Sequence, residues 1–141
     1  SAFIQNLRSV LKEEHMTALC VTHDHEDTFA FCDKAMVLHD GLIEQYDTPQ
    51  ALYHHPETQL VGDTMGFGYI HPSTQQYTRP EHYQVVDDGD AVTVMASQFE
   101  GATALLACKD SEGSETWIRV LSTAKIEVGD TLKLARCSAH L

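Results

Sequence analysis

The densest chemistry in the chain lies in Thr22-His23-Asp24-His25-Glu26-Asp27, where two imidazoles are interleaved with carboxylates. An imidazole donates or accepts a hydrogen bond near neutral pH, so His23 is a candidate for catalysis, for metal ligation or for sensing an anion. The stretch follows the apolar run Met16–Val21. In α/β proteins working side chains sit at the carboxyl end of a buried strand, facing a crevice. A metal reading is weaker. Imidazoles suit zinc, copper or nickel, but residues two apart at a helix start do not converge as i, i+4 residues do, and a tetrahedral site needs supporting partners. No metal site is therefore expected. A hydrolase built on His23 would need a nucleophile and an oriented base, and no motif supplies them.

The elements that must hold this stretch follow from hydrophobic spacing and punctuation. Phe3, Ile4, Leu7, Val10 and Leu11 form one stripe of an amphipathic helix over residues 3–15. A helix feeding Met16–Val21 as a buried strand is half of an α/β crossover unit. A chain that opens in mid-helix reads as part of something longer. Glu26–Cys32 is a short helix with Asp24 as its N-cap, and its acidic first turn suits the helix dipole. Asp40-Gly41 between two apolar runs, 35–39 and 42–46, predicts a hairpin with a type I′ turn. Thr48-Pro49 starts a helix that stops near Pro56. Glu57–Met65 is a second short helix, ended by Gly66, and His54-His55 places positive charge near a helix end.

Texture changes at Phe67–Pro80, a polar, proline-containing connector. Beyond it five β-type runs, Tyr83–Val86, Val92–Ser97, Thr103–Lys109, Thr116–Leu121 and Thr131–Arg136, predict a small barrel or sandwich. Asp87-Asp88-Gly89-Asp90 lacks the spacing of a calcium loop and reads as a solvated turn. Trp117, Phe99, Met36, Met65 and Met95 are read as packing residues.

Formal net charge is −12 over 141 residues. That excludes the basic footprint a nucleic-acid backbone requires. No apolar run approaches the ~20 residues of a membrane-spanning helix, and the first residues show no secretory signal. Cys20, Cys32, Cys108 and Cys137 form no Cys-x-x-Cys pair, so reduced thiols are expected rather than a zinc ribbon or disulfide framework.

Taken together, Cys20-Val21-Thr22-His23-Asp24, Asp40-Gly41, Ile43-Glu44-Gln45, Thr48-Pro49, Leu52-Tyr53 and Pro56 resemble the C-terminal part of an ABC transporter ATP-binding subunit. The nearest group imports ferric iron, spermidine/putrescine, sulfate or sugars. Arg79-Pro80-Glu81-His82 and Val128-Gly129-Asp130 resemble recurrent elements of the TOBE (transport-associated OB) domain that follows the nucleotide-binding domain in that group. The resemblance implies an α/β remnant of an ABC nucleotide-binding domain at 1–66, then a linker and a small all-β OB/TOBE-like barrel at 67–141, α+β overall.

The resemblance also implies that His23 is the switch-loop histidine, which contacts the ATP γ-phosphate in the full-length protein. An imidazole donor fits that task, since phosphoryl transfer rests on positioning and electrostatics. ATP and Mg2+ are the implied cofactors of the full-length protein, with none expected in this fragment. The implied partners are transmembrane permease subunits and a second ATP-binding subunit in a homodimer. The implied location is cytoplasmic, peripheral on the inner membrane. The sequence departs from the family in lacking a Gly-x-x-x-x-Gly-Lys-Ser/Thr loop, a signature motif and a catalytic glutamate. The fragment alone is therefore expected to be inactive, with regulation and dimer contact left to the β-domain. His25 stands where the family usually has Gln, Asp27-Thr28 where it has Glu-Ala, and Asp47 where Gly precedes Thr-Pro. A cut-off strand with an exposed edge predicts oligomerisation or domain swapping of the fragment. The competing reading is a stand-alone binding module whose β-domain holds an oxyanion or metal ion.

Overall fold

The computed structural model describes residues 2–137, which divide into two compact units between Gly66 and Phe67. The first unit begins with helix α1, Ala2–Glu13, which buries none of its residues. Phe3 is 74% and Val10 52% exposed, so the apolar stripe forms as a helix face but lacks a full covering. Arg8 ties α1 to Asp33 through an ion pair of 2.7 Å.

Met16–Val21 does not form the expected buried strand. It is irregular, without a strand partner, and exposed, with Leu19 at 84% and Val21 at 91%. A buried parallel strand takes its hydrogen bonds and its cover from neighbours. Among the described residues no strand lies beside this one. Helix α2 runs His25–Phe31, one residue earlier than the spacing predicts, and Asp24 caps it as expected.

The hairpin of β1 (Ala35–His39) and β2 (Leu42–Asp47) forms as read. Asp40 and Gly41 have φ of 49° and 77°, the positive pair that a type I′ turn requires. Its inner face sets Val37 against Leu52, Val61 and Met65, a small core closed by α3 (Pro49–His54) and α4 (Gln59–Thr64). Thr48 and Thr58 cap these helices by accepting from Ala51 N–H and Val61 N–H, each at 3.2 Å. The cap at Thr58 makes α4 shorter than the expected 57–65. Buried Gln45 adds a tie absent from the spacing argument. Its amide donates to His55 O at 3.3 Å and accepts from Glu57 N–H at 2.8 Å, fixing the α3–α4 turn to β2. The outer face carries Met36, Leu38, Ile43 and Tyr46, all exposed, so Met36 does not pack as expected whereas Met65 does.

In the second unit the expected connector is structured. β3 (Tyr69–Ile70) and β4 (Tyr77–Thr78) pair antiparallel, and a 3-10 turn follows at Pro80–His82. The two runs 83–86 and 92–97 are parts of one strand, β5, Tyr83–Phe99. The acidic stretch between them is a bulge inside that strand: Val85 and Asp90 both oppose Leu134. β6 (Thr103–Lys109), β7 (Glu115–Leu121) and β8 (Thr131–Arg136) complete a four-stranded antiparallel sheet in the order β7-β6-β5-β8. It is a curled half-barrel rather than a five-stranded barrel or sandwich. Bulges favour such curling because they bend the strand and raise its twist. Its core is Val92, Val94, Leu106, Cys108, Ile118 and Leu134. Phe99, read as a packing residue, is 77% exposed because β5 carries it past that core, and Met95 at the second bulge is 51% exposed.

Candidate functional site

His23 sits where the irregular segment turns into α2. α1 closes with His15 in a left-handed conformation, φ 52°, and Met16 N–H donating to Leu11 O at 2.9 Å. The chain then runs without regular structure to Thr22. Asp24 organises the turn. Its backbone N–H donates to Thr22 Oγ1 at 3.0 Å, its carboxylate accepts from Glu26 N–H at 2.8 Å, and its carbonyl accepts from Thr28 Oγ1 at 3.3 Å. These three bonds span both sides of His23, whose imidazole is exposed.

The two histidines of the motif differ in exposure: His23 is exposed and His25 half-buried. His25 packs edge-on against Phe29 at 5.7 Å, Phe29 against Tyr53 at 5.7 Å, and Tyr53 against His54 at 4.9 Å. His25 thus belongs to an aromatic ladder that ties α2 to α3. A groove of about 240 Å³ between these helices is lined by Phe29, Pro49, Gln50, Tyr53 and His54. His23 and His25 both border a broad concavity of about 830 Å³, walled by α1, residues 16–24, α2 and the β1–β2 hairpin, with Leu52 of α3 and Thr64 of α4 also reaching it. Among the described residues no group of three or more His, Cys, Asp or Glu side chains is arranged to hold a metal ion.

Burial, with the nearby Cys20 and Asp33, pushes the Cys32 thiol up, opposed in part by Arg8. A thiol so placed is a poor nucleophile. The site therefore offers an exposed imidazole, His23, with the half-buried His25 ring bordering the same concavity. It can donate a hydrogen bond to an anionic ligand held by other groups.

Comparison with known proteins supplies the context that geometry alone does not. No protein-family profile matches the chain. The chain is 30% identical over 162 aligned positions to the sulfate/thiosulfate import ATP-binding protein CysA of Xanthomonas campestris, covering 93% of this chain and 47% of that protein. The chain is a homologue of ABC importer ATP-binding subunits. Two further relatives agree. The Fe(3+) ions import ATP-binding protein FbpC of Photorhabdus laumondii is 32% identical over 98 residues, 64% of this chain and 28% of that protein. The spermidine/putrescine import ATP-binding protein PotA of Trichormus variabilis is 30% identical over 100 residues, 71% of this chain and 26% of that protein. This ABC subunit homologue spans less than half the length of these relatives. No helix among the described residues is long and apolar enough to cross a membrane.

Proposed function

We propose that the chain is the C-terminal part of the ATP-hydrolysing subunit of an ABC importer, with His23 as the residue that contacts the ATP γ-phosphate in the full-length protein. The single observation that carries this reading is the similarity to CysA, which extends over 93% of the chain and so embraces both compact units. The turn geometry supports it. An exposed imidazole fixed between Thr22, Asp24 and Glu26 is pre-set to donate to a phosphate oxygen delivered from outside the chain. ATP with its Mg2+ would be gripped by groups this sequence does not contain, since it has no phosphate-binding loop.

Residues 1–66 are then the end of the nucleotide-binding domain. The bare outer face of the β1–β2 hairpin and the unpaired segment Met16–Val21 are surfaces that the rest of that domain would cover, and in isolation they favour self-association. Residues 67–141 are a TOBE-like domain that regulates the subunit or contacts its homodimer partner. The whole assembly would work with transmembrane permease subunits on the cytoplasmic face. The transported solute lies among the oxyanions, ferric iron and polyamines carried by the relatives' systems.

The test has two arms. The chain alone, given ATP and Mg2+, should release no phosphate above background. Fused behind a relative's N-terminal part bearing the phosphate-binding loop, it should restore hydrolysis, and His23→Ala in that fusion should lower it by about 10²-fold or more. Turnover by the chain alone, or a fusion indifferent to His23→Ala, overturns the reading.

A further inference from the structure

The β3–β4 hairpin is attached to the half-barrel by Tyr69 on Trp117, by Arg136 Nη1 donating to Gln76 Oε1 at 3.0 Å, and by the buried imidazole of His71. His71 lies just after β3 and is only 9% exposed. Its backbone closes the hairpin: its N–H donates to Gln76 O at 2.9 Å and its carbonyl accepts from Gln75 N–H at 2.8 Å. Its ring reaches three places at once. Nδ1 accepts from Ser73 N–H at 3.3 Å, Nε2 faces Thr116 Oγ1 on β7 at 3.4 Å, and the ring stacks on Tyr83 of β5 at 5.7 Å between centroids. With Nδ1 as acceptor the ring is neutral and carries its proton on Nε2, which donates to Thr116. A second proton on Nδ1 would place two donors face to face at Ser73.

We propose that the 69–78 hairpin is a proton-released cover over Trp117, latched by neutral His71 and set free when that ring takes up a proton. The hairpin region holds Trp117 directly. Tyr69 Oη accepts from Trp117 N–H at 3.1 Å and donates to Trp117 O at 3.3 Å, and the Phe67 ring meets the indole edge-on at 5.7 Å. Release of the latch removes the tie to Thr116 and loosens the Tyr69 and Phe67 contacts on Trp117.

The charged groups around His71 set the direction. Burial disfavours its charged form, Arg136 of β8 adds to that, and Asp110 of the β6–β7 turn opposes it. Tyr69 and Tyr83, the phenols packed on the ring, are both pushed above the ordinary tyrosine range by burial and stay neutral here. A histidine held neutral in the folded state stabilises it fully above its free value of about 6.5 and ceases to do so as pH falls through that value to the lower folded one. The cover is thus closed at neutral pH and opens in acid.

Trp117 is the only tryptophan in the chain, so its emission reads the cover without a label. On lowering pH from about 7.5 to about 5, emission should shift to the red with a midpoint below about 6.5, while the β-sheet circular dichroism holds. His71→Asn keeps an uncharged acceptor for Ser73 and should remove the step. An unchanged step in His71→Asn, or a red shift that coincides with loss of the sheet signal, overturns the proposal. Should that variant not fold, imidazole nitrogen resonances of the native chain decide. Protonation of His71 at the midpoint of the Ser73 amide shift and of the emission step supports the latch, and a separate midpoint overturns it.

Discussion

Substituting Gly89 with alanine tests the bulge in β5. A Cβ at Gly89 would overlap the Leu134 carbonyl oxygen, lie 2.8 Å from Val86 Cγ2 and 2.9 Å from the Leu134 carbonyl carbon. Val86 can rotate, but the Leu134 carbonyl is backbone of β8 and can yield only if that strand shifts. Leu134 is 3% exposed in the core, so the shift reaches Val92 and Val94. Overpacking of this kind costs about 1–3 kcal/mol. Loss of glycine's freedom in the unfolded chain returns ~0.4–1 kcal/mol. The expected net loss is about 1–2 kcal/mol, or roughly 5–15 °C in melting temperature for a unit of this size. Urea denaturation followed by Trp117 emission measures it, and amide exchange over β8 should quicken. Gly113→Ala is the control. Gly113 has φ +84° but no atom within 4 Å of its would-be Cβ, so its cost is the left-handed backbone alone and β8 exchange should not change. A Gly89→Ala protein within about 0.5 kcal/mol of the parent, with unchanged β8 exchange, would refute the bulge and return Asp87–Asp90 to a free turn.

Asp24→Ala removes the α2 cap and should cost about 0.5–2 kcal/mol locally, seen as faster exchange of the 25–31 amides, whereas Asp24→Asn keeps the acceptor and should behave as the parent. Thiol labelling should distinguish the cysteines. Exposed Cys20 should react in the folded chain, while Cys108, buried in the core with its thiol pushed up to about 11, should react only after unfolding, as read by peptide mass mapping.

Local chemistry was legible wherever it acts over a few residues. Asp40-Gly41, Thr48-Pro49 and Asp24 each carry their own structural instruction, because a positive φ or a cap acts within one turn of chain. Met16–Val21 shows the opposite case. Its apolar composition describes what a strand would bury, but burial also needs neighbours, and none lies beside it among the described residues. The β3–β4 hairpin is not legible because each strand has two residues and its hold comes from Trp117, Thr116 and Arg136, far along the chain. Asp87-Asp88-Gly89-Asp90 has turn composition. An isolated glycine in a β-type run also marks a bulge or a close backbone approach, and the proximity to Leu134 decides between the two. Phe99 has a core residue's composition but lies where β5 outruns its cover. At the candidate site, sequence named His23 and its cap. The tie from His25 through Phe29 to Tyr53 was not legible, because it depends on how α3 packs against α2.

The pairing of β8 with β5 bears on the order in which the second unit assembles. β6 and β7 are joined by a tight turn in which Asp110 accepts from Glu112 N–H and Ser114 N–H, both at 2.9 Å. Hairpins of that kind close in about 1–10 μs. β8 must instead return to β5 across the whole of β6 and β7, joining Val92 to Leu132 and Tyr83 to Arg136. Its closure entropy comes due before any contact rewards it. We expect β5–β6–β7 to form the nucleus and β8 to dock last. During synthesis, then, Val92 and Val94 have Leu106, Cys108 and Ile118 beside them but lack Leu134 until β8 docks, and in that interval the free edge of β5 is most open to pairing with the wrong chain.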